Sequence, residues 1–191
     1  MTSTPERDRL LDLVADLILR EGMIDVSLSA IARGVGSNNR MLLYYFESKE
    51  NLLDEASVRA FDRFERLRDL FARLAGDGSL EDRLLAAWDD LSAPENVPYL
   101  RMYFQRFGVA MRDADQWASF TERAGHEWVD LTWRVIADEG HGEERARVVA
   151  TEIVALWRGL QFALLTGVDP DRLRAAYGVG VRGALAALDE S

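Results

Sequence analysis

Three features of the sequence predict an all-α protein of about nine helices. Apolar residues recur at three- and four-residue spacing along nearly the whole chain, and a Ser, Thr, Asn or Asp precedes most such runs. No alternating Val/Ile/Thr-rich segment interrupts them, so no strand is expected. Hydrophobic residues make up 48% and charged residues 29% of the 191 positions, a balance that supports a packed core.

Each helix follows from local signals. Thr4-Pro5 reads as an N-cap followed by proline at the first helical position, where a missing N–H costs nothing. Leu10, Leu11, Val14, Leu17 and Ile18 then recur at helical spacing up to Gly22. Ser27 caps a short second helix with Leu28, Ile31 and Ala32 inward, and GVGSNN ends it in a turn. Asn38 caps a third helix reaching about Tyr45. Ser48 opens a long fourth one, whose stripe runs through Leu52, Leu53, Ala56, Ala60, Phe64, Leu67, Phe71 and Leu74.

The rest repeats the pattern. Ser79-x-x-Asp82 has the spacing of a capping box and opens a fifth helix with Leu80, Leu84, Trp88 and Leu91 on one face. Pro94 and Pro98 delimit a loop, and Leu100 to Met111 forms the sixth helix. The seventh starts near Asp115 and ends in DEGHGEE; the eighth runs from about Glu143 to Thr166. Asp169-Pro170 opens the ninth, which ends near Leu188.

Composition narrows the function classes. Without cysteine there are no disulfides and no thiolate metal sites. The N-terminal segment lacks a basic start with an unbroken apolar run, and no window reaches 18 consecutive apolar residues. A cytoplasmic protein that makes no membrane contact is expected. The net charge of −10 opposes nucleic-acid binding in sum but not locally. From Val26 to Phe46 there is no Asp or Glu, although acids occupy 33 of the 191 positions; that stretch carries Arg33 and Arg40. Lys49, the chain's single lysine, follows closely.

The second and third helices, separated by GVGSN, have the lengths and tight turn of a helix-turn-helix. In that motif the second helix enters the DNA major groove and presents its N-terminal side chains to base edges. Asn38, Asn39 and Arg40 stand there, with the chemistry to pair with adenine and guanine. Leu42 and Phe46 hold the helix on the core, and Tyr44 is within reach of phosphates. Ser27, Arg33 and Lys49 complete the candidate DNA-contacting set, Lys49 at a helix N-terminus suited to phosphate.

The stretch SLSAIARGVGSNNRMLLYYFESKENLL, with RDRLLDLVADLILREG before it, resembles the DNA-binding domain of the tetracycline-repressor (TetR) family. Ile31-Ala32, Gly36, Asn38, Leu42, Tyr45-Phe46, Ser48-Lys49-Glu50 and Leu52-Leu53 occupy the family's positions, over roughly residues 7 to 56. Ser37 departs from the usual valine, Asn39-Arg40 from a common lysine-glycine pair, and Leu43 from a phosphate-binding tyrosine. The resemblance implies one phosphate contact fewer, with Tyr44 available in its place. It also implies a helix-turn-helix domain over 1–47 and a ligand-binding, dimerising domain over 48–191. The expected function is a repressor that binds a palindromic operator as a homodimer and is released by a small, largely apolar effector.

Candidate effector contacts are drawn from the aromatic-rich middle of the chain: Trp88, Tyr103, Arg106, Phe107, Trp117, Phe120, His126, Trp128, Trp133 and Trp157. An apolar cavity with one or two convergent polar groups is the usual form of such a site. On the eighth helix Val149, Ile153, Leu156, Trp157, Leu160 and Leu164 make one stripe. The ninth carries Ala176, Gly180, Gly183, Ala184 and Ala187, small residues that permit close approach of a partner. These two helices are expected to pair with their symmetry mates.

Two other classes compete. For an enzyme or a metal site the sequence offers only Glu122-x-x-x-His126, which surface or core pairing explains more simply; no catalysis, cofactor or metal is expected. An all-α small-molecule or protein-binding module that has lost DNA recognition is favoured by Ser37, Leu43 and the acidic first helix.

Overall fold

The computed structural model describes residues 4–22, 27–113, 115 and 117–189, and every regular element in them is helical. Val26, where the acid-free run begins, lies outside the described residues. By packing, Met1–Glu65 with Pro98–Thr121 makes one compact unit, and Arg66–Val97 with Glu122–Ser191 the other.

The first unit begins with α1 (Pro5–Glu21), whose first turn is held by Thr4 Oγ1 accepting from Arg7 N. Its inward residues Leu10, Val14, Ala15 and Ile18 are fully buried. Next come α2 (Leu28–Gly34), α3 (Asn39–Phe46) and α4 (Lys49–Phe61). Ser27, Asn38 and Ser48 cap these three helices, each accepting from the backbone N–H three residues on. The repeated cap satisfies donors that a short helix would otherwise leave open. α4 packs along α1, burying Leu52, Leu53, Ala56 and Ala60. The same pair is laced outside by charge. Asp8, Asp12 and Asp16, one turn apart on α1, meet Arg59 on α4 and Arg63 just beyond its end, with Arg59–Asp8 at 3.5 Å and Arg59–Asp12 at 3.3 Å.

The predicted long fourth helix is broken. After α4 the chain makes two short pieces, α5 (Glu65–Arg68) and α6 (Leu70–Leu74). Asp62 and Asp69 stand at the two breaks, and aspartate competes with the helical backbone for hydrogen bonds. Leu67, Leu70 and Leu74 are buried regardless, so the apolar stripe survives the interruption. A second difference concerns Pro98. It does not close a loop but sits in the first turn of α8 (Val97–Ala110), after the 3₁₀ turn Pro94–Asn96. Proline is tolerated there because the first-turn N–H groups have no helical partner.

In the second unit α7 (Leu80–Leu91) is capped as predicted, Ser79 Oγ accepting from Asp82 N at 3.1 Å. α9 (Ala118–Ala137) follows α8, then α10 (Glu143–Leu165) and α11 (Pro170–Asp189). α10 and α11 pack along each other and on α7. Their buried polar groups are chained: Trp157 Nε1 donates to Tyr177 Oη at 2.9 Å, and Tyr177 Oη donates to Leu84 O at 2.5 Å. Burial holds the Tyr177 hydroxyl far above the ordinary phenol range, so it stays a donor.

α10 has the length and apolarity of a membrane span. It nevertheless buries Val149, Ile153, Val154 and Trp157 within its own unit, which corrects the expected partner-facing stripe. On α11, Ala184 is likewise buried, and the position of Gly180 is filled by Leu156. The outward faces carry Val148, Ala155, Gly159 and Phe162 on α10, and Ala176, Val179 and Gly183 on α11. Phe162 is 56% and Val179 73% exposed.

Two backbone positions near α3 invite a stability test. Gly36, in the turn before it, has φ of 65°, and Glu47, just after it, has φ of 66°. Gly36→Ala should cost about 1–2 kcal/mol because a Cβ is disfavoured in that conformation. Glu47→Gly should relieve the same conflict and be neutral to stabilising by up to about 1 kcal/mol. Urea denaturation of both variants measures the opposed signs.

Candidate nucleic-acid interface

The side chains of α3 divide sharply by environment. Leu42 and Phe46, four residues apart, are 1% exposed each and seat the helix on the unit's core. Asn38, Asn39 and Arg40 at its N-terminal end are exposed, and Tyr44 is 71% exposed. Arg33 on α2 and Ser27 before it are exposed as well. Lys49 lies in the first turn of α4, half-buried, with its ammonium 3.7 Å from Glu50 Oε1. The seven candidate residues thus fall on two adjoining helices and the start of a third.

Not all of them are equally free to reach a base. Asn38 is occupied as a cap, its Oδ1 accepting from Met41 N at 3.0 Å. Asn39 donates through Nδ2 to Ser29 Oγ at 2.9 Å, which orients its amide and leaves Oδ1 and the second N–H outward. Arg33 and Arg40 form no ion pair with any described residue. The Tyr44 ring meets Tyr45 edge-on at 5.0 Å, which limits its swing.

Sequence reasoning missed the residue that clasps this arrangement. Arg7 of α1 lies over the Phe46 ring at 4.8 Å and donates from Nε to Tyr45 O at 3.4 Å. Its Nη2 pairs with both Glu55 oxygens, at 2.5 and 2.7 Å. One arginine therefore ties the C-terminal end of α3 to α1 and α4. The only sequence signal was a basic residue in the first turn of a helix, which reads as a solvated charge. Ser29 was missed for the same reason, as a small polar residue on a short helix.

Residues 10–56, which hold this whole arrangement, match the family model of the bacterial regulatory proteins, tetR family. Over those residues the chain is similar to the DNA-binding domain of that family. The full fold is that of TetR-family transcriptional regulators. A TetR-family transcriptional regulator from Rhodococcus sp. superposes with a TM-score of 0.74 at 19% identity, over 95% of this chain and 100% of its own. A transcriptional regulator from Saccharomonospora viridis, in complex with choline, gives 0.61 at 22% identity over 94% and 97%. The TetR-family regulator CifR, a cysteine-substituted variant complexed with 26-base-pair operator DNA, gives 0.61 at 21% over 95% and 98%. No curated protein sequence matches the chain.

The aromatic candidates separate into two clusters, one in each unit. In the first unit Tyr103, Phe107 and Phe120 meet ring to ring at 5.0 to 6.0 Å. Arg106, 3% exposed, lies over Phe120 at 4.2 Å and Trp117 at 5.2 Å, and pairs with Asp54 of α4. Ser119 Oγ stands 3.4 Å from the other Asp54 oxygen. In the second unit Trp128 and Trp157 meet edge-on at 6.1 Å, each also against Phe71, while Trp88 stacks on Tyr177 at 5.3 Å. Trp133 lies under the Arg147 guanidinium at 4.3 Å. His126 joins neither cluster and is exposed on α9, as is Glu122 one turn before it. Among the described residues no group of His, Asp and Glu has the makings of a metal site.

Arg106 also makes an energetic prediction. Removing one partner of a buried ion pair leaves the other charge uncompensated, whereas removing both does not. Arg106→Met should cost about 3 kcal/mol. The Arg106→Met/Asp54→Leu double variant should recover most of that loss, with a coupling above about 1 kcal/mol in a double-mutant cycle of urea titrations.

Proposed function

We propose that this chain is a homodimeric, ligand-responsive transcriptional regulator, acting as a repressor at a palindromic operator. The observation that carries the reading is the division of α3. Its apolar face is buried on Leu42 and Phe46, while Asn39, Arg40 and Tyr44 stand exposed on the helix a helix-turn-helix inserts into the major groove. Arg40 is assigned to a base edge, Asn39 to a second one, and Lys49 and Arg33 to phosphates. Asn38 and Ser27 act through their caps, setting the helix ends that face the backbone. By role, residues 1–47 read DNA, and 48–191 dimerise and respond to ligand.

Dimerisation is assigned to the outward faces of α10 and α11. Val148, Ala155, Gly159 and Phe162 recur on α10 at the spacing of a helix–helix seam, and Ala176, Val179 and Gly183 on α11 let a partner approach closely. An exposed Phe162 and Val179 gain nothing from water. Burying them against a symmetry mate would set two reading heads on two half-sites.

The effector reading rests on the Arg106 cluster. Tyr103, Phe107, Phe120 and Trp117 supply apolar walls, and Arg106 with Asp54 supplies the polar pair that a largely apolar effector with one polar group would engage. Asp54 is on α4, which begins with Lys49, so an occupant that prefers one arrangement of the pair biases the helix behind the reading head. The trimethylammonium ligand of one structural neighbour, choline, suits aromatic walls of this kind. The Trp128–Trp157 cluster, with Trp88 and Trp133, is left as packing, and exposed His126 is given no effector contact. The regulator reading also implies a cytoplasmic protein without catalysis.

The test of the DNA role is selection of bound duplexes from a random-sequence pool, followed by titration at several salt concentrations. Wild type should enrich a palindrome. Arg40→Ala should relax one base pair per half-site at about 1–3 kcal/mol, whereas Lys49→Ala should weaken all sequences evenly and flatten the salt slope. Absence of any enriched sequence with folding intact would sink the regulator reading in favour of a ligand- or protein-binding module. Dimerisation is tested apart from DNA: Phe162→Arg and Val179→Arg should shift the mass in light scattering from dimer to monomer, because an arginine buried in the seam lacks a partner.

A further inference from the structure

Leu43 is the residue of α3 that neither the core nor the polar contacts account for. The core positions are taken by Leu42 and Phe46, each 1% exposed, whereas Leu43 is 42% exposed. It follows Asn39 by four residues and Arg40 by three, so the three side chains share one helical face. A single exposed leucine is ordinary on a protein surface. This one stands among groups suited to base edges, in a segment where residues 27–46 carry no acid and both arginines lack an ion-pair partner among the described residues.

In the major groove, base-pair edges offer hydrogen-bond donors and acceptors and one apolar group, the 5-methyl of thymine. Three residues of α-helix advance by about 4.5 Å, and successive base pairs by about 3.4 Å. We infer that Leu43 reads a thymine methyl one or two base pairs from the pair met by Arg40, so that each half-site carries an A·T pair at that place. The inference rests on the DNA-binding reading above. It adds a sequence requirement which the polar side chains alone do not impose. Tyr44, more exposed still, is the neighbouring side chain that competes for the same role, and the experiment separates the two.

The duplex enriched by the wild-type protein is resynthesised with each thymine replaced in turn by deoxyuridine, which removes only the methyl group. Wild type should lose roughly three- to fivefold in affinity per half-site at one thymine, the value of one buried methyl. Leu43→Ala should bind more weakly, keep the base preference that Arg40 supplies and show no response to that methyl. Tyr44→Ala should keep the response. Circular dichroism melts check that both variants fold. An enriched duplex on which no thymine methyl matters to wild type overturns the inference while the DNA-binding reading stands. A methyl response that persists in Leu43→Ala also overturns it and assigns the contact elsewhere. Failure to enrich any duplex overturns both.

Discussion

The seating of α3 is the constraint on which the rest depends. Eight residues are too few to hold a helix in water, so its existence and its direction are both set from outside. Three devices do this. Asn38 closes its first turn, Leu42 and Phe46 bury its inner edge, and Arg7 fastens its last turn by stacking on Phe46 and donating to Tyr45 O. The arginine is itself held by both oxygens of Glu55, so α1, α3 and α4 share one polar knot over an apolar seat. With the helix fixed on that side, the identity of the residues on the other side is free to serve recognition. A helix-turn-helix demands exactness of pose more than stability, and the geometry is spent accordingly.

On the proposed DNA-binding reading, a chain of net charge −10 has to manage its own acids. It does so by location. Asp8, Asp12 and Asp16 form a row on α1, and Arg59 of α4 and Arg63 just after it interleave with that row. Each pair is exposed enough to be worth little as stability. Its electrostatic consequence is larger, because the row is largely neutralised before any phosphate is met, leaving Arg33 and Arg40 on the acid-free segment uncompensated. The acidic first helix, which from sequence alone argues against DNA, is thereby reconciled with the proposed DNA contact. Acids left elsewhere oppose non-specific attachment and raise the demand for contacts that only the right sequence supplies.

What was legible in the sequence follows the range of the physics. Caps are local, and Thr4, Ser27, Asn38, Ser48 and Ser79 each accept from the backbone N–H their position foretells. The buried and exposed halves of α3 follow from period alone. Periodicity fails where two apolar faces coexist. On α10 the richer stripe, Val149, Ile153 and Trp157, turned out to be the one its own unit buries, leaving Val148, Ala155, Gly159 and Phe162 outward. Periodicity alone does not say which of the two stripes the unit's own core takes, and here it takes the one with the larger side chains. Tertiary partners were invisible for a different reason. Arg7 with Glu55, Asn39 with Ser29, and Arg106 with Asp54 are separated by 48, 10 and 52 residues, and no spacing rule links them.

On the proposed effector reading, Arg106 is the buried group that joins packing to response. A guanidinium 3% exposed is stable only because Asp54 neutralises it and Phe120 and Trp117 offer it ring faces. Buried pairs of this kind add little net stability, since desolvation consumes most of what attraction returns. Their arrangement is therefore cheap to exchange for another that satisfies the same charges. A ligand bringing its own charge or ring face to this cluster would replace one partner of the pair rather than add to it. Its differential affinity is then expressed in where Asp54, and hence α4, comes to rest. The same helix packs along α1 and begins at Lys49, the residue proposed above to meet a phosphate. A shift too small to disturb the core of the unit would still be large against the tolerance of a helix seated in a groove.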